Sequence, residues 1–349
     1  MTQAGALSSF TLGLILLGAM VLAALVAWNT WTSRRNTPRR AQAAASPVEP
    51  RTEPMLDGER QDPAFDVSPP LPLPERKPGL DALIDVLAPI ALEGPVSGEA
   101  ALAAMPPTRR AGSKPFAIEG LNQQSQQWET PHPGQRYAAF QAGVQLANRL
   151  GALNEIEYSE FVMKVQAFAD AVNGTPDVPE MLDEVARARE LDQFASGHDA
   201  QLSFTLRARQ AAWSPGYVQQ HAARLGFVAG ALPGRMVLPS ANPGAPPLLG
   251  LSFDTQAALA EDPEQAALRQ LSLSLDVPQV DRREQPFARM REAADVLAAA
   301  MDGVVTDDNG QPIQPQALDV IGADLEQLYD TLHSRDLAAG SPLARRLFS

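Results

Sequence analysis

The four histidines, His132, His198, His221 and His333, are the first residues to test for acid–base or metal chemistry, and their spacing speaks against both. None stands in H-E-x-x-H or another paired ligand spacing, and only His198 adjoins a carboxylate, Asp199. A triad also needs a nucleophile, so a surface pair in a boundary loop is the simpler reading of His198-Asp199. The chain has no cysteine, which excludes disulfides and thiolate metal sites. Asp307-Asp308-Asn309-Gly310 has the acids of a calcium loop but neither their alternate spacing nor the closing glutamate, and a hairpin turn accounts for it. Neither phosphate-binding glycine motif occurs, and Glu155, Glu157 and Glu160 fit a solvated helix face. The expectation is a protein without enzymatic activity, cofactor or metal, one that works by binding.

The elements that would present a binding surface are clearest from residue 285 to residue 332. Phe287, Met290, Ala294, Leu297 and Met301 recur at spacings of three and four, which predicts a helix opening near Pro286 and stopping at Asp302-Gly303. Val304-Val305 reads as a short strand, 307–310 as a turn, and Pro315 as the start of a second helix with its stripe on Leu318, Ile321, Leu325, Leu328 and Leu332. Upstream, residues 201–208 alternate, with Leu202, Phe204 and Leu206 on one side and Ser203, Thr205 and Arg207 on the other. Ser214-Pro215 starts a helix that ends at Gly226, and residues 236–238, 249–253 and 271–277 predict three more strands. The predicted order is β-α-β-β-β-α-β-α.

At 349 residues and 45% hydrophobic, the chain has room for two domains and their cores. Its net charge is −13; Arg34, Arg35, Arg39 and Arg40 contribute +4, leaving −17 for the rest. So acidic a body is unsuited to neutralising phosphates, and no nucleic-acid partner is expected. Residues 1–32 carry no charged side chain and 10–31 are apolar enough to cross a bilayer, with Trp28 and Trp31 at the far end. A signal peptide is the alternative, but a basic leading region and a small-residue cleavage site are missing. The four arginines following the span place the body in the cytoplasm and residues 1–9 in the periplasm, a single pass through the inner membrane. Gly13 and the small residues from Gly18 to Ala24 also suit helix pairing, hence weak self-association. Residues 32–79, rich in proline, alanine and charge, predict a disordered linker whose stiffest part is 69–74. Docking of that stretch in an aromatic groove is the less economical reading.

The runs Phe287-Ala-Arg-Met-Arg-Glu-Ala-Ala-Asp and Asp302-Gly-Val-Val-Thr-Asp-Asp-Asn-Gly, the strand at 271–278, and the anchor and arm ahead of them resemble the ZipA family of bacterial division proteins. The motifs cover about the last third of the chain and the layout all of it. The resemblance implies an α+β fold, an antiparallel sheet covered by helices on one face, as the C-terminal domain at 197–335, followed by a tail at 336–349. Residues 80–196 read as an imperfect copy of that domain. There 83–92 parallels 201–208, Ser97-Gly98 parallels Ser214, 137–147 parallels the strand at 271, Phe168-Ala-Asp-Ala-Val-Asn-Gly parallels the end of the later helix, and Pro179 parallels Pro315. Between Gly174 and Pro179 nothing matches the strand and turn at 304–310, so the copy is expected to lack its terminal strand. An unrelated inserted fold is the alternative.

The family resemblance further implies a Gram-negative cell, the division site, and a helix-free sheet face that takes the C-terminal tail of FtsZ as a shallow groove. The matching positions are Gln201, Ser203, Thr205, Met236, Leu238, Ser252, Asp254, Ser272, Ser274 and Asp276. Only Met236 and Leu238 among them would bring apolar area, the main source of affinity in such grooves. Outward Leu87 with Trp128 in the first copy, or the junction of the two copies, are other places for the tail. Two other functions stay open: an envelope scaffold with the same shape and another partner, and a membrane-anchored RNA-binding module, which would need exposed aromatics and a basic surround.

Overall fold

In the first half, alternation builds a sheet with one covered face. Strands β1 (Asp85–Ser97), β3 (Lys114–Asn122) and β5 (Arg136–Gln145) turn Val86, Ala88, Ile90, Phe116, Ile118, Phe140, Ala142 and Val144 inward. With β2 (Arg110–Ala111) and β8 (Gly174–Pro176) the order is β2-β3-β5-β1-β8, and β4 (Trp128–Glu129) pairs with β3. Helix α1 (Gly98–Ala104) starts at Ser97, whose hydroxyl accepts from the Ala100 amide. Helix α2 (Glu155–Ala171) opens with a capping box between Asn154 and Glu157 and packs Phe161, Val165 and Phe168 on the sheet. Helix α3 (Met181–His198) adds Val185 and Ala188. A small hairpin, β6 (Ala147–Asn148) and β7 (Gly151–Ala152), lies beyond β5.

The computed structural model describes residues 38–41, 79–307 and 309–349. The expected membrane span at 10–31, Arg34, Arg35 and most of the linker lie outside them. Among the described residues, no helix is long and apolar enough to cross a membrane.

In the second half, β9 (Gln201–Ala208), α4 (Pro215–Arg224), β10 (Val228–Ala229), β11 (Arg235–Leu238), β12 (Leu249–Ser252), the single turn α5 (Thr255–Ala258), β13 (Gln270–Asp276), α6 (Pro286–Met301), β14 (Gly303–Thr306) and α7 (Pro315–Ser334) follow the predicted order, with β10 and α5 added. Its sheet runs β10-β11-β12-β13-β9-β14, all antiparallel. The inner rows of Leu and Phe pack on Val218, Ala222, Met290, Ala294, Leu297 and Met301. Prolines open α4, α6 and α7, where the absent N–H forgoes no helical bond.

Both sheets place the opening strand between the last long strand before the long helix and the strand that follows that helix. The first half does have a terminal strand where none was expected: Gly174 to Pro176 pair with Ile90, Ala91 and Leu92 as Gly303 to Thr306 pair with β9. In each half the residue before that strand takes the left-handed conformation, Asn173 at φ 53° and Asp302 at φ 54°. Asn and Asp tolerate it better than other side chains with a Cβ, and this turn was the sequence signal for a strand too short to alternate.

Residues 336–349 are not a tail. Helix α8 (Pro342–Leu347) folds into the junction, where Leu337, Ala344, Leu347 and Phe348 share a core with Ile84, Ala147 and Ala195 of the first half and Leu332 of the second. Ser341 caps this helix. Asp85, fully buried, pairs with Arg346 at 2.5 Å, and Gln145 donates to the Arg346 carbonyl at 2.8 Å. Burial holds the Asp85 carboxyl above its ordinary range, against the opposing hydrogen bond and charge of Arg346.

The linker also departs from expectation at one point. Arg39 forms a parallel bridge with Trp213: its amide donates to the Ala212 carbonyl at 2.7 Å, and its carbonyl accepts from Ser214 at 2.8 Å. Its guanidinium reaches Asp302 at 2.9 Å and the Met301 carbonyl at 3.4 Å, at the C-terminal end of α6. Among the described residues Arg40 is exposed beside it.

Candidate functional site

The helix-free face of the second sheet is assembled from its register. One row crosses Val228, Val237, Gly250, Ser274 and Ser203; the next crosses Arg235, Ser252, Ser272, Thr205 and Thr306. Asp276 opposite Gln201 closes the end nearest the first half. Apart from Thr306, which is buried and donates its hydroxyl to the Thr205 carbonyl at 3.1 Å, these side chains alternate with the buried leucines, so burial of one set fixes the other outward.

Ser203, Thr205, Ser252, Ser272, Ser274, Gln201 and Asp276 therefore share the face expected of them. Met236 and Leu238 do not. Met236 is 5% exposed in the row Met236, Leu251, Leu273, Phe204, which is the core, and Leu238 packs against the same core. Arg235-Met-Val-Leu238 holds three apolar residues in succession, so alternation gave no parity. The residues that reasoning missed are Val228 and Val237, paired at the sheet edge. Gly250, outward between buried Leu249 and Leu251, carried the usable signal, because it fixes Val237 opposite as outward too. Asp254 leaves the sheet altogether and caps α5 by accepting from the Gln256 amide at 2.8 Å.

The hydroxyls of this face bond one another: Ser203 and Ser272 lie 2.8 Å apart, and Ser274 donates to the Gly250 carbonyl at 3.4 Å. A Cβ on Gly250 would come within 2.7 Å of the Ser274 hydroxyl, so that hydroxyl occupies space that only glycine leaves open. The end row is engaged at the junction, where Arg149 forks Asp276 at 2.7 and 2.8 Å and Asp199 at 2.6 and 2.8 Å. Hydrogen bonds it donates to Asp199 and then to Asp276 raise that guanidinium above its ordinary range by more than desolvation lowers it.

The first sheet carries a different face. Trp128 stands opposite Leu121, Leu121 opposite Ala139, Ala139 opposite Ala91, and Ala91 opposite Thr175. Trp128 is 43% exposed. The next rows, Glu119 with Gln141 and Pro89 and then Ala117 with Gly143 and Leu87, lead toward the junction. Leu87 is half-buried on this side, as expected.

Neither face collects metal ligands: among the described residues, no group of three histidines, aspartates or glutamates is placed to hold an ion. His198 stacks on Phe194 and reaches that residue's carbonyl at 2.7 Å, a helix-end contact rather than part of a catalytic constellation.

No curated protein matches the chain. Residues 259–323 match the family model described as ZipA, C-terminal FtsZ-binding domain, a stretch that takes in β13, α6, β14 and the start of α7. Over those residues the chain is similar to the FtsZ-binding domain of the ZipA family.

Proposed function

We propose that the chain docks the C-terminal tail of FtsZ and tethers FtsZ polymers to the inner membrane at the division site, with residues 10–31 as a single-pass anchor and the body in the cytoplasm. The family match over residues 259–323 carries the reading. The docking surface is the helix-free face of the second sheet, with Val228 and Val237 as its apolar edge and Ser203, Ser252, Ser272 and Ser274 as hydrogen-bonding floor. The chemistry is reversible binding without acid, base, cofactor or metal. Weak single contacts suffice, because a polymer presents many tails to many membrane-confined copies. We also read the first half as a second ZipA-type domain, on the shared placement of the opening strand and the paired left-handed turns. An experimental structure in which β8 did not pair with β1 would remove that reading.

The test is titration of a fluorescent FtsZ tail peptide into the full chain in detergent. Binding should saturate and weaken about tenfold, roughly 1.4 kcal/mol, in Val237→Asp. No binding at millimolar peptide would leave the second reading, an envelope scaffold with another partner. The hydrogen bonds already made on the second face favour that reading, since Ser203 pairs with Ser272 and Ser274 donates to the Gly250 carbonyl.

A further inference from the structure

On the helix side of the second sheet, away from its open face, a cleft of about 380 Å³ lies between the start of α6 and the middle of α7. Arg282, Phe287, Arg291, Leu325 and Tyr329 wall it, and its size suits a small ligand. The helix that opens into it has no side-chain cap. Gln285, in the left-handed conformation at φ 50°, offers its first turn no acceptor, and Pro286 has no amide to satisfy. The Arg289 amide bonds back to the Gln285 carbonyl at 3.1 Å. That leaves the Phe287 and Ala288 amides at the positive end of the helix, and both residues line the cleft.

A second observation is independent of the helix end. Tyr329 is 3% exposed, and its buried hydroxyl has no hydrogen-bond partner among the described residues. Leaving such a group unpaired costs stability, so native chains rarely keep one idle. The hydroxyl feels the charges of Glu326 and Arg282, both on the cleft wall, which turns it toward the cleft. Burial pushes its pKa up to about 12, so at neutral pH it is protonated and able to donate.

Two guanidinium groups bracket these donors. Arg282 pairs with Glu326 and with Asp330 at 2.7 Å, and Arg291 pairs with Asp319 at 3.0 Å. Those acids are 63%, 73% and 69% exposed, so the pairs are weak and exchangeable. Planar paired oxygens are what both arginines already bind here. Glu326 on the wall opposes a dianion such as phosphate, while Phe287 and Leu325 call for carbon behind the charge.

We propose that the α6–α7 cleft binds an organic monocarboxylate, its oxygens on the Phe287 and Ala288 amides and the Tyr329 hydroxyl, its apolar part against Phe287 and Leu325. A free acid and the last residue of a peptide share that chemistry. The site does not depend on whether the open face of the same sheet binds FtsZ.

With four tyrosines in the chain, fluorine is a sparse label. The full chain in detergent, carrying 3-fluorotyrosine, is titrated with sodium benzoate at constant ionic strength, and Tyr329→Phe identifies the Tyr329 resonance by its loss. That resonance should shift saturably with a Kd of about 1 mM, usual for so small a ligand, while those of Tyr137, Tyr158 and Tyr217 stay in place. Arg291→Gln, at a half-buried position, should weaken binding up to about fivefold. Benzamide, with the same ring and no charge, should leave the resonance unmoved. N-acetylphenylalanine is the second arm: binding tighter than benzoate assigns the site to a chain end, and weaker binding to a free acid. No saturable shift by tens of millimolar benzoate would overturn the proposal. So would an equal response to benzamide, displacement of benzoate by inorganic phosphate, or unchanged affinity in Arg291→Gln.

Discussion

The two halves set their opening strand in the same place, β1 between β5 and β8 and β9 between β13 and β14, yet they differ on the faces that no helix covers. The inner rows of both are apolar and fully buried. Outward, the first sheet shows Trp128, Leu121, Ala139 and Ala91, while the second shows serines that bond each other, with valines at one edge. A sheet covered on one side is constrained by packing only on that side, so its topology persists while its outer face changes with its occupant. The family match falls on the half with the polar face, and the apolar face belongs to the half it does not reach.

The largest effect comes from the joint between the halves. Phe348 is 1% exposed in a core to which both halves contribute. Phe348→Ala should cost about 3–5 kcal/mol of stability. Because the lost contacts lie between the halves, urea unfolding followed at Trp213 and by far-UV circular dichroism should separate into two transitions. A single transition at the original midpoint would mean that the halves are stable independently of α8, and that their likeness is the only thing they share.

Next in size is a substitution that tells the two faces of the second sheet apart. Met236 is buried among Leu251, Leu273 and Phe204, so Met236→Ala should destabilise by about 2–5 kcal/mol. Ser274 lies on the outer face, and Ser274→Ala should stay within about 0.5 kcal/mol. Comparable urea midpoints for the two variants would place Met236 outside and restore it to the binding face.

How far such sidedness can be read from sequence depends on local redundancy. Residues 201–208 alternate over eight positions and the strand falls where expected; Pro215, Pro286 and Pro315 mark helix starts to the residue. Met236-Val-Leu238 offers no alternation, and a parity error of one residue moved two side chains from the core to the surface. Gly174-Thr-Pro176 is too short for any period, so the terminal strand of the first half showed only in Asn173-Gly174 ahead of it. The tail was legible in part: Ser341-Pro342 is a helix start and Leu343, Leu347 and Phe348 fall on one side. What sequence does not reveal is that two domains leave a shared cavity for that side to fill. Trp128 sits in a two-residue strand, and its exposure depends on pairing with Leu121 across a turn.

A smaller effect, with a definite sign, concerns Asp85 at the same joint. Burial raises its carboxyl above the ordinary 3.8, so the folded chain holds that proton more tightly than the unfolded chain. The resulting stabilisation is complete below 3.8 and is lost as the pH rises through the raised folded value. Asp85→Asn removes this linkage, and the variant's melting temperature should fall less than that of the parent chain between about pH 4 and pH 7. Equal slopes would show that Arg346 fully offsets the burial. The first half has this buried carboxylate on its sheet face at the junction, whereas the equivalent end of the second has Asp276 half-exposed with Arg149.

The smallest expected change lies where the arm meets the second half. Arg39 and Asp302 are 37% and 33% exposed, so their ion pair is worth no more than about 1 kcal/mol. It nonetheless orients a segment held otherwise by two backbone hydrogen bonds, and one of these protects the Ser214 amide directly. Asp302→Ala should therefore raise hydrogen exchange at Ser214 by up to about fivefold, the factor that 1 kcal/mol commands, and leave Leu206 in the sheet centre unchanged. Faster exchange at both amides would mean that the substitution loosens the whole half, since Asp302 also holds the left-handed turn into β14. No change at Ser214 would mean that the backbone bridge alone fixes Arg39. In that case the arm's hold on the second half rests on strand pairing with Trp213, and charge has no part in it.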